Sequence, residues 1–172
     1  MKKSSILVLP EYYINYINEI DDIELTEALR KYSVNFLDKY KDELIALGKK
    51  VYADGKWTVR DILQHLIDSE RIFQYRALRI ARNDNTALPG FEENLYVPEA
   101  KADKRSIDEL LKEFESVRNS GIILFDSFDD IMLQRKGICS EKEISVLAIG
   151  FSIAGHTLHH FNVIKEKYFP LL

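Results

Sequence analysis

The chain has 172 residues, of which 46% are hydrophobic and 30% charged, and its formal net charge is −4. This length and composition are those of an ordinary globular protein and predict a single domain over residues 1–172. Acidic and basic residues are mixed throughout, which argues against the basic surface that nucleic-acid binding requires. The only cysteine, Cys139, cannot form an intramolecular disulfide, and this favours a reducing compartment.

No apolar segment of the sequence is long enough for a secretory signal peptide or a membrane span. The first, Ile6–Leu9, is ended by Pro10 and is too short for a signal-peptide core. The longest later run, residues 144–155, is shorter than the about 20 apolar residues that a transmembrane helix needs. The sequence therefore predicts a cytoplasmic protein with no membrane association.

The N-terminal part of the chain contains a weakly patterned segment, followed by the first clear helical pattern. Residues 1–20 are weakly patterned, and they could form a loose arm or pack on the domain. Apolar side chains then recur at three- and four-residue steps over residues 22–47, which predicts a helix, continuous or with a break. Asp21 or Asp22 is the expected N-cap, and Gly48 the residue after the end.

The second helix has the best-marked start. Thr58 followed three residues later by Asp61 predicts a capping box. The apolar face that follows extends to Ile80, and His65 lies at its edge. Trp57, directly before the cap, is typical of a hydrophobic staple or a core anchor.

The second half of the chain alternates two connections with two further helices. Residues 83–105 show no periodicity, which is typical either of a functional loop such as a lid or of a packed surface crossover. Ser106 and Glu109 predict a capping box for the third helix. Residues 129–143 could contain short extended pieces. The fourth helix is expected between Ser145 and Pro170, and four amphipathic helices with little strand signal predict an all-α bundle.

The histidines are the most informative residues. Residues four apart on a helix point in nearly the same direction, so His156 and His160 can bind one ion together. His65 comes from another helix, and a bundle can bring the three imidazoles together in its core. Three nitrogen ligands leave positions open for water or substrate, which is typical of a catalytic metal site. His159 points elsewhere on the helix and is predicted not to be a ligand.

Carboxylates near His65 could fix its orientation. Asp61 lies four residues before it and Asp68 three after it, so either could accept the second ring N–H. Glu70 is a weaker candidate, because an ion pair with a neighbouring arginine such as Arg71 or Arg76 explains it better. The competing interpretation is that the histidines are hydrogen-bonded core residues without a metal.

Several aromatic residues near the motifs are predicted to pack in the core rather than form a binding site. Two residues on the second helix, Tyr75 and Arg76, could still reach the mouth of a cavity beside His65. The aromatic residues assigned to the core are Tyr12, Tyr13, Tyr16, Phe73 and Tyr75.

Both histidine motifs resemble those of the DinB-like superfamily, over roughly residues 20–169. The resemblance is carried by six segments: Gly55–Arg60, His65–Arg71, Tyr75–Arg79, Leu88–Asn94, Ile144–Val146 and Ala154–Asn162. It implies a four-helix bundle of the DinB-like type with long crossover connections. It also implies that His65, His156 and His160 bind a divalent metal (zinc, nickel, iron or manganese) and that the protein forms homodimers.

Members of the superfamily include metal-dependent hydrolases and bacillithiol S-transferase-like proteins, which activate a low-molecular-weight thiol on the metal. The resemblance therefore implies a metal-dependent enzyme that acts on a small molecule, with the thiol transferase ahead of the hydrolase. The first alternative is a non-catalytic metal- or ligand-binding bundle that acts through protein partners. The second is a structural bundle with buried histidines. No separate general base is evident beside the histidines, which favours activation by the metal itself.

Overall fold

The computed structural model describes residues 1–172, and it is a helical bundle with one small β-hairpin. Three long helices, α5, α7 and α9, form most of the bundle. α5 packs on both α7 and α9, and α2 packs on the same two helices from the opposite corner. This arrangement confirms the predicted all-α four-helix bundle. The elements are α1 (Ile14–Asn18), α2 (Leu25–Lys31), α3 (Val34–Asp38), α4 (Lys41–Leu47), α5 (Val59–Ala81), α6 (Glu93–Ala100), α7 (Ile107–Asp126), α8 (Asp130–Gln134), β1 (Lys136–Cys139), β2 (Lys142–Ser145) and α9 (Val146–Val163).

The helix predicted over residues 22–47 is broken twice, into α2, α3 and α4. The first break is at Ser33, whose backbone is extended. The carbonyls of Leu29 and Tyr32, which lose their helical partners there, both accept hydrogen bonds from Nη1 of Arg118 on α7. A distant side chain thus stabilises the break, and local periodicity cannot reveal it.

The predicted N-caps of this first segment are wrong, whereas Gly48 follows the end of α4 as predicted. Glu24 occupies the N-cap position of α2 and makes no side-chain hydrogen bond to the helix. Asp21 instead accepts hydrogen bonds from Lys31 and Tyr32, and Asp22 accepts one from the backbone N–H of Ser4. Both carboxylates therefore attach neighbouring segments to the bundle.

Residues 1–20 pack on the bundle. Ile17 and Ile20 are fully buried in the core, and α1 lies along α9. Gly155 permits this approach, because a Cβ at that position would overlap the backbone carbonyl of Tyr16. The packed alternative of the sequence analysis is therefore the one observed.

Local capping fixes the starts of the three long helices as predicted. Thr58 and Asp61 form a reciprocal capping box on α5, and Ser106 and Glu109 form another on α7. The side chain of Ser145 accepts the N–H of Ala148 at the start of α9. Because these caps fix where each helix begins, they also fix which residues face inward.

The two long connections meet at one end of the bundle. Residues 83–105 contain α6, and the chain between α7 and α9 contains α8 and the hairpin of β1 and β2, so the predicted extended pieces are present. The N–H of Leu88 donates to the carbonyl of Ile138, and the N–H of Ser140 donates to the carbonyl of Leu88. These bonds hold the start of the first connection against the hairpin.

The buried apolar residues form two clusters along the bundle, and a polar layer separates them. On α9, residues up to Ala154 belong to one cluster and Phe161 to the other. On α5 the order is reversed: apolar residues up to Ile67 belong to the cluster of Phe161, and those from Phe73 onward belong to the cluster of Ala154. His156 and His160 lie in this interval on α9, and His65 lies two residues before it on α5. No helix combines the length and apolarity needed to cross a bilayer.

Candidate metal centre

Three imidazoles converge between α5 and α9. The Nε2 atom of His156 lies 3.1 Å from Nε2 of His65 and 3.0 Å from Nε2 of His160. One ligand atom from each of the three residues lies within 4.8 Å of the others. The structure thus brings together the three histidines that the sequence analysis selected.

The donor set fits a divalent cation. A tetrahedral ion with nitrogen ligands at 2.0–2.1 Å holds those nitrogens about 3.3 Å apart, close to the separations observed. A neutral imidazole nitrogen carries either one N–H or one lone pair. Nε2 of His156 therefore cannot donate to one neighbour and accept from the other at the same time. A shared cation satisfies all three lone pairs.

Burial keeps the imidazoles in the form that binds metals. It lowers the pKa of His65 to about 4 and, with repulsion from His65 and His159, that of His160 to about 3. The pKa of His156 lies well below its usual value, first because the ring is buried and second because it lies close to the other imidazoles and to the guanidinium of Arg118. All three rings are therefore neutral at pH 7, with lone pairs available to an ion.

The remaining ring nitrogen of His65 faces a serine rather than a carboxylate. Oγ of Ser69 lies 3.4 Å from Nδ1 of His65. Neither predicted carboxylate hydrogen-bonds to that ring: Asp61 closes the capping box with Thr58, and Asp68 accepts from Gln64. Ser69 lies four residues after His65, on the same helix face, so spacing alone could have identified it.

His159 lies outside the cluster of three. Its ring packs at 5.0 Å from that of Tyr16, and its Nδ1 atom is 4.0 Å from a carboxylate oxygen of Glu19. Its direction on α9 turns it toward α1 instead of α5, as the helical rotation predicted.

Glu70 belongs to the same polar layer but faces away from the histidines. The predicted partners, Arg71 and Arg76, are wrong. Both carboxylate oxygens of Glu70 accept hydrogen bonds from Arg118 on α7, at 2.7 and 2.8 Å. The same guanidinium donates to Thr157, the neighbour of His156. This buried network therefore ties α7 to the two helices that carry the histidines.

The imidazoles open into a cavity of about 750 Å³, which we call the histidine cavity. Aromatic rings surround the histidines: Trp57 lies 4.9 Å from His65, Tyr16 lies 5.4 Å from His156, and Phe73 lies 6.2 Å from His156. Trp57 also packs on the core, in agreement with the predicted anchor.

Four aromatic residues that were predicted to pack in the core line the histidine cavity: Tyr12, Tyr13, Tyr16 and Phe73. Phe73 also belongs to the buried core and Tyr13 packs against it, as predicted. The three tyrosines lie in α1 or directly before it and reach the cavity because α1 packs on α9, whereas Phe73 comes from α5. Burial raises the pKa of Tyr13 and of Tyr16, so both phenols remain protonated at neutral pH.

The connection over residues 83–105 also forms part of the cavity wall. Phe91, Glu93 and Tyr96 face the cavity from α6 and from the turn before it. Their sequence shows no periodicity, so no local signal identified them. Arg76 reaches the cavity, as the sequence analysis allowed, whereas Tyr75 is exposed and bonds to Arg79.

Comparisons with known proteins agree with this architecture. The profile of the DinB superfamily matches residues 19–164. The solved structure of YfiT from Bacillus subtilis aligns with 94% of this chain and 86% of its own, with a TM-score of 0.67 and 17% sequence identity. YfiT is described as a probable metal-dependent hydrolase with an unusual four-helix bundle topology. A comparison with curated proteins gives no significant match.

Proposed function

The chain belongs to the DinB superfamily, and we propose that it is a metal-dependent enzyme acting on a small organic substrate at His65, His156 and His160. The observation that carries this proposal is the convergence of three neutral imidazole nitrogens at the wall of a cavity of about 750 Å³. Cavities of this volume accommodate small-molecule ligands. A metal site with a purely structural role would not need such a cavity.

A divalent cation bound there acts as a Lewis acid and lowers the pKa of a water or thiol ligand. The residues of the chain supply the remaining functions. The three histidines would hold the ion, and Ser69 restrains the ring of His65. Trp57, Tyr16 and Phe73 keep the surroundings apolar, which strengthens electrostatic interactions at the centre.

Transfer of a low-molecular-weight thiol to an electrophile is the activity that we place first. The histidine cavity has room for two reactants, and no carboxylate hydrogen-bonds to the imidazoles as a dedicated base. Hydrolysis is the second candidate, because Glu93 places one carboxylate in the cavity wall, where it could accept a proton from water. Zinc, nickel, iron and manganese are the candidate metals, and the homodimer and the cytoplasmic location remain predictions.

Metal analysis of protein purified without a histidine tag tests the proposal. We expect about one divalent ion per chain, since three histidines with an open position bind a single ion. His160→Ala should lose the ion, whereas His159→Ala, one residue away on the same helix, should keep it. Protein that contains no metal, and that binds none when zinc is added, would support the purely structural bundle.

Activity assays then separate the remaining alternatives. The metal-loaded protein is given a thiol with an epoxide or halide, and separately an ester without a thiol. Thiol consumption above the uncatalysed rate indicates the transferase, and ester cleavage without thiol indicates the hydrolase. Metal binding without turnover of either kind indicates a non-catalytic binding module.

A further inference from the structure

Arg76 is a buried cation at the far end of the histidine cavity. It lies on α5, eleven residues after His65, and only 3% of its surface is exposed. Its guanidinium carbon lies 5.8 Å from the ring of Phe73 and 5.9 Å from that of Phe91. Nη2 donates to the carbonyl of Pro89 at 2.8 Å and to Oγ of Ser140 at 3.2 Å. These contacts fix the guanidinium in one orientation.

The charge of Arg76 has no anionic partner within the protein. A guanidinium has five N–H donors and stays protonated. Nη2 of Arg76 donates to two neutral oxygens, and the guanidinium also hydrogen-bonds to the phenol of Tyr13. None of the ion pairs of the protein includes Arg76. The second buried arginine, Arg118, provides the contrast, because Glu70 binds it with both oxygens and two carbonyls take its remaining donors.

The titratable neighbours of Arg76 do not supply a negative charge. Burial raises the pKa of the Tyr13 phenol and of the Cys139 thiol more strongly than the nearby guanidinium lowers them. Both groups are therefore neutral at pH 7. Glu92 and Glu93 line the same cavity but form no ion pair with Arg76. A buried charge without a counter-ion is costly, and an anionic ligand would compensate it.

We propose that Arg76 binds the carboxylate or phosphate group of the substrate whose reactive end lies at the three histidines. This inference rests on the proposed function. The ring of Phe73 bridges the two ends, since it contacts both the guanidinium and the ring of His156. The preferred substrate is thus an acidic molecule in which an apolar stretch separates the anion from the reacting group.

Affinity measurements on the zinc-loaded protein test the anion subsite. The probes are ω-mercaptoalkanoic acids of six to eight carbons, the amides of the same chains, and the corresponding phosphonic acids. We expect an acid or a phosphonic acid to bind about tenfold or more tightly than the amide, the ratio that a charge-assisted hydrogen-bond pair supplies. The anion that binds more tightly indicates whether the substrate carries a carboxylate or a phosphate group. Equal affinity of all three probes would overturn the proposal.

Two single substitutions test whether Arg76 causes the preference for the anionic probes. Arg76→Met should remove the preference for the anion and leave amide binding within about twofold. Lys142→Met removes an exposed cation at the mouth of the same cavity and should keep most of the preference, because exposed charges are screened. An equal loss in both variants would contradict a specific site at Arg76. If Arg76→Met does not fold, the relative affinities of the acid, phosphonic acid and amide probes for the unmodified protein still test the proposal.

The affinity measurements distinguish a failure of the anion subsite from a failure of the proposed metal-dependent function. If the protein binds no metal, thiol probes and their thiol-free analogues will bind alike, and the proposed function fails. The subsite can still be tested then by comparing octanoate with octanamide on the metal-free protein. If thiol binding needs zinc but acids and amides do not differ, only the anion subsite fails.

Discussion

His65 and His160 present lone pairs to the site because burial keeps their imidazoles neutral. Their folded-state pKa values, about 4 and about 3, lie below the ordinary value of 6.5. Well above pH 6.5 the rings are unprotonated in both the folded and the unfolded state. As the pH falls, the unfolded chain takes up protons first, so acid destabilises the metal-free protein.

We therefore predict that the free energy of unfolding of the metal-free protein decreases as the pH falls from 6.5 to about 4. Within that window each such histidine contributes a slope of up to about 1.4 kcal/mol per pH unit. Urea denaturation at several pH values measures the slope. A variant with His65→Gln and His160→Gln should lose most of it, and an unchanged slope in that variant would contradict the assignment.

The partner of His65 can be tested with two single substitutions. Ser69→Ala removes the hydroxyl beside Nδ1 and should weaken zinc binding by about tenfold, because a ligand ring without its supporting hydrogen bond is less well oriented. Asp68→Asn changes a neighbouring residue that bonds to Gln64 instead, and its zinc affinity should stay close to the original value. A larger loss of zinc affinity in Asp68→Asn than in Ser69→Ala would show that Asp68 supports the ring of His65, as predicted from the sequence. Titration with a competing chelator measures both affinities.

At the scale of elements, the contact between α1 and α9 determines one wall of the histidine cavity. It places Tyr16 against His156 and His159. The contact depends on the missing side chain at Gly155. The N-terminal segment is therefore part of the site, although its sequence is weakly patterned.

Gly155→Ala should displace α1 and destabilise the protein by about 1–3 kcal/mol, as overpacking against a backbone carbonyl does. Chemical denaturation measures the loss, and near-ultraviolet circular dichroism reports the environment of the tyrosines. Gly48→Ala is a useful comparison. It strains a positive φ of 56° but has open space around its Cβ, so it should leave the tyrosine signal unchanged.

At the scale of the whole molecule, the Arg118 and Glu70 pair holds the bundle together across its polar layer. It connects α5 and α7 directly, and Arg118 also bonds to α2 and α9. Both side chains are almost completely buried, at 1% and 3% exposure. The layer that carries the three histidines is therefore supported by this network on the side away from the cavity.

Glu70→Ala should destabilise the protein by about 3–5 kcal/mol, because it leaves the buried charge of Arg118 without a partner. Glu113→Ala is the matched control. It breaks two partly exposed ion pairs, one with Arg71 between the same two helices and one with Arg105, and each such pair contributes about 1 kcal/mol or less. Thermal and urea unfolding compare the two variants, and similar losses would show that the buried pair has no special role.

The sequence by itself determined the helix starts at Thr58, Ser106 and Ser145 and the alignment of His156 with His160. These features depend on residues no more than four positions apart, and their geometry is that of a single helix turn. The same local argument excluded His159. Together with the family motifs, it identified the bundle and its three histidines.

Only the tertiary structure decided which distant groups surround those histidines. The break at Ser33, the pairing of Glu70 with Arg118, the tyrosines in the cavity wall and the unpaired charge of Arg76 all depend on contacts between separate elements. Such contacts follow from how helices pack, and residues far apart in the chain leave no periodic signal of meeting. The surroundings of the three proposed metal ligands are therefore determined by how the helices pack.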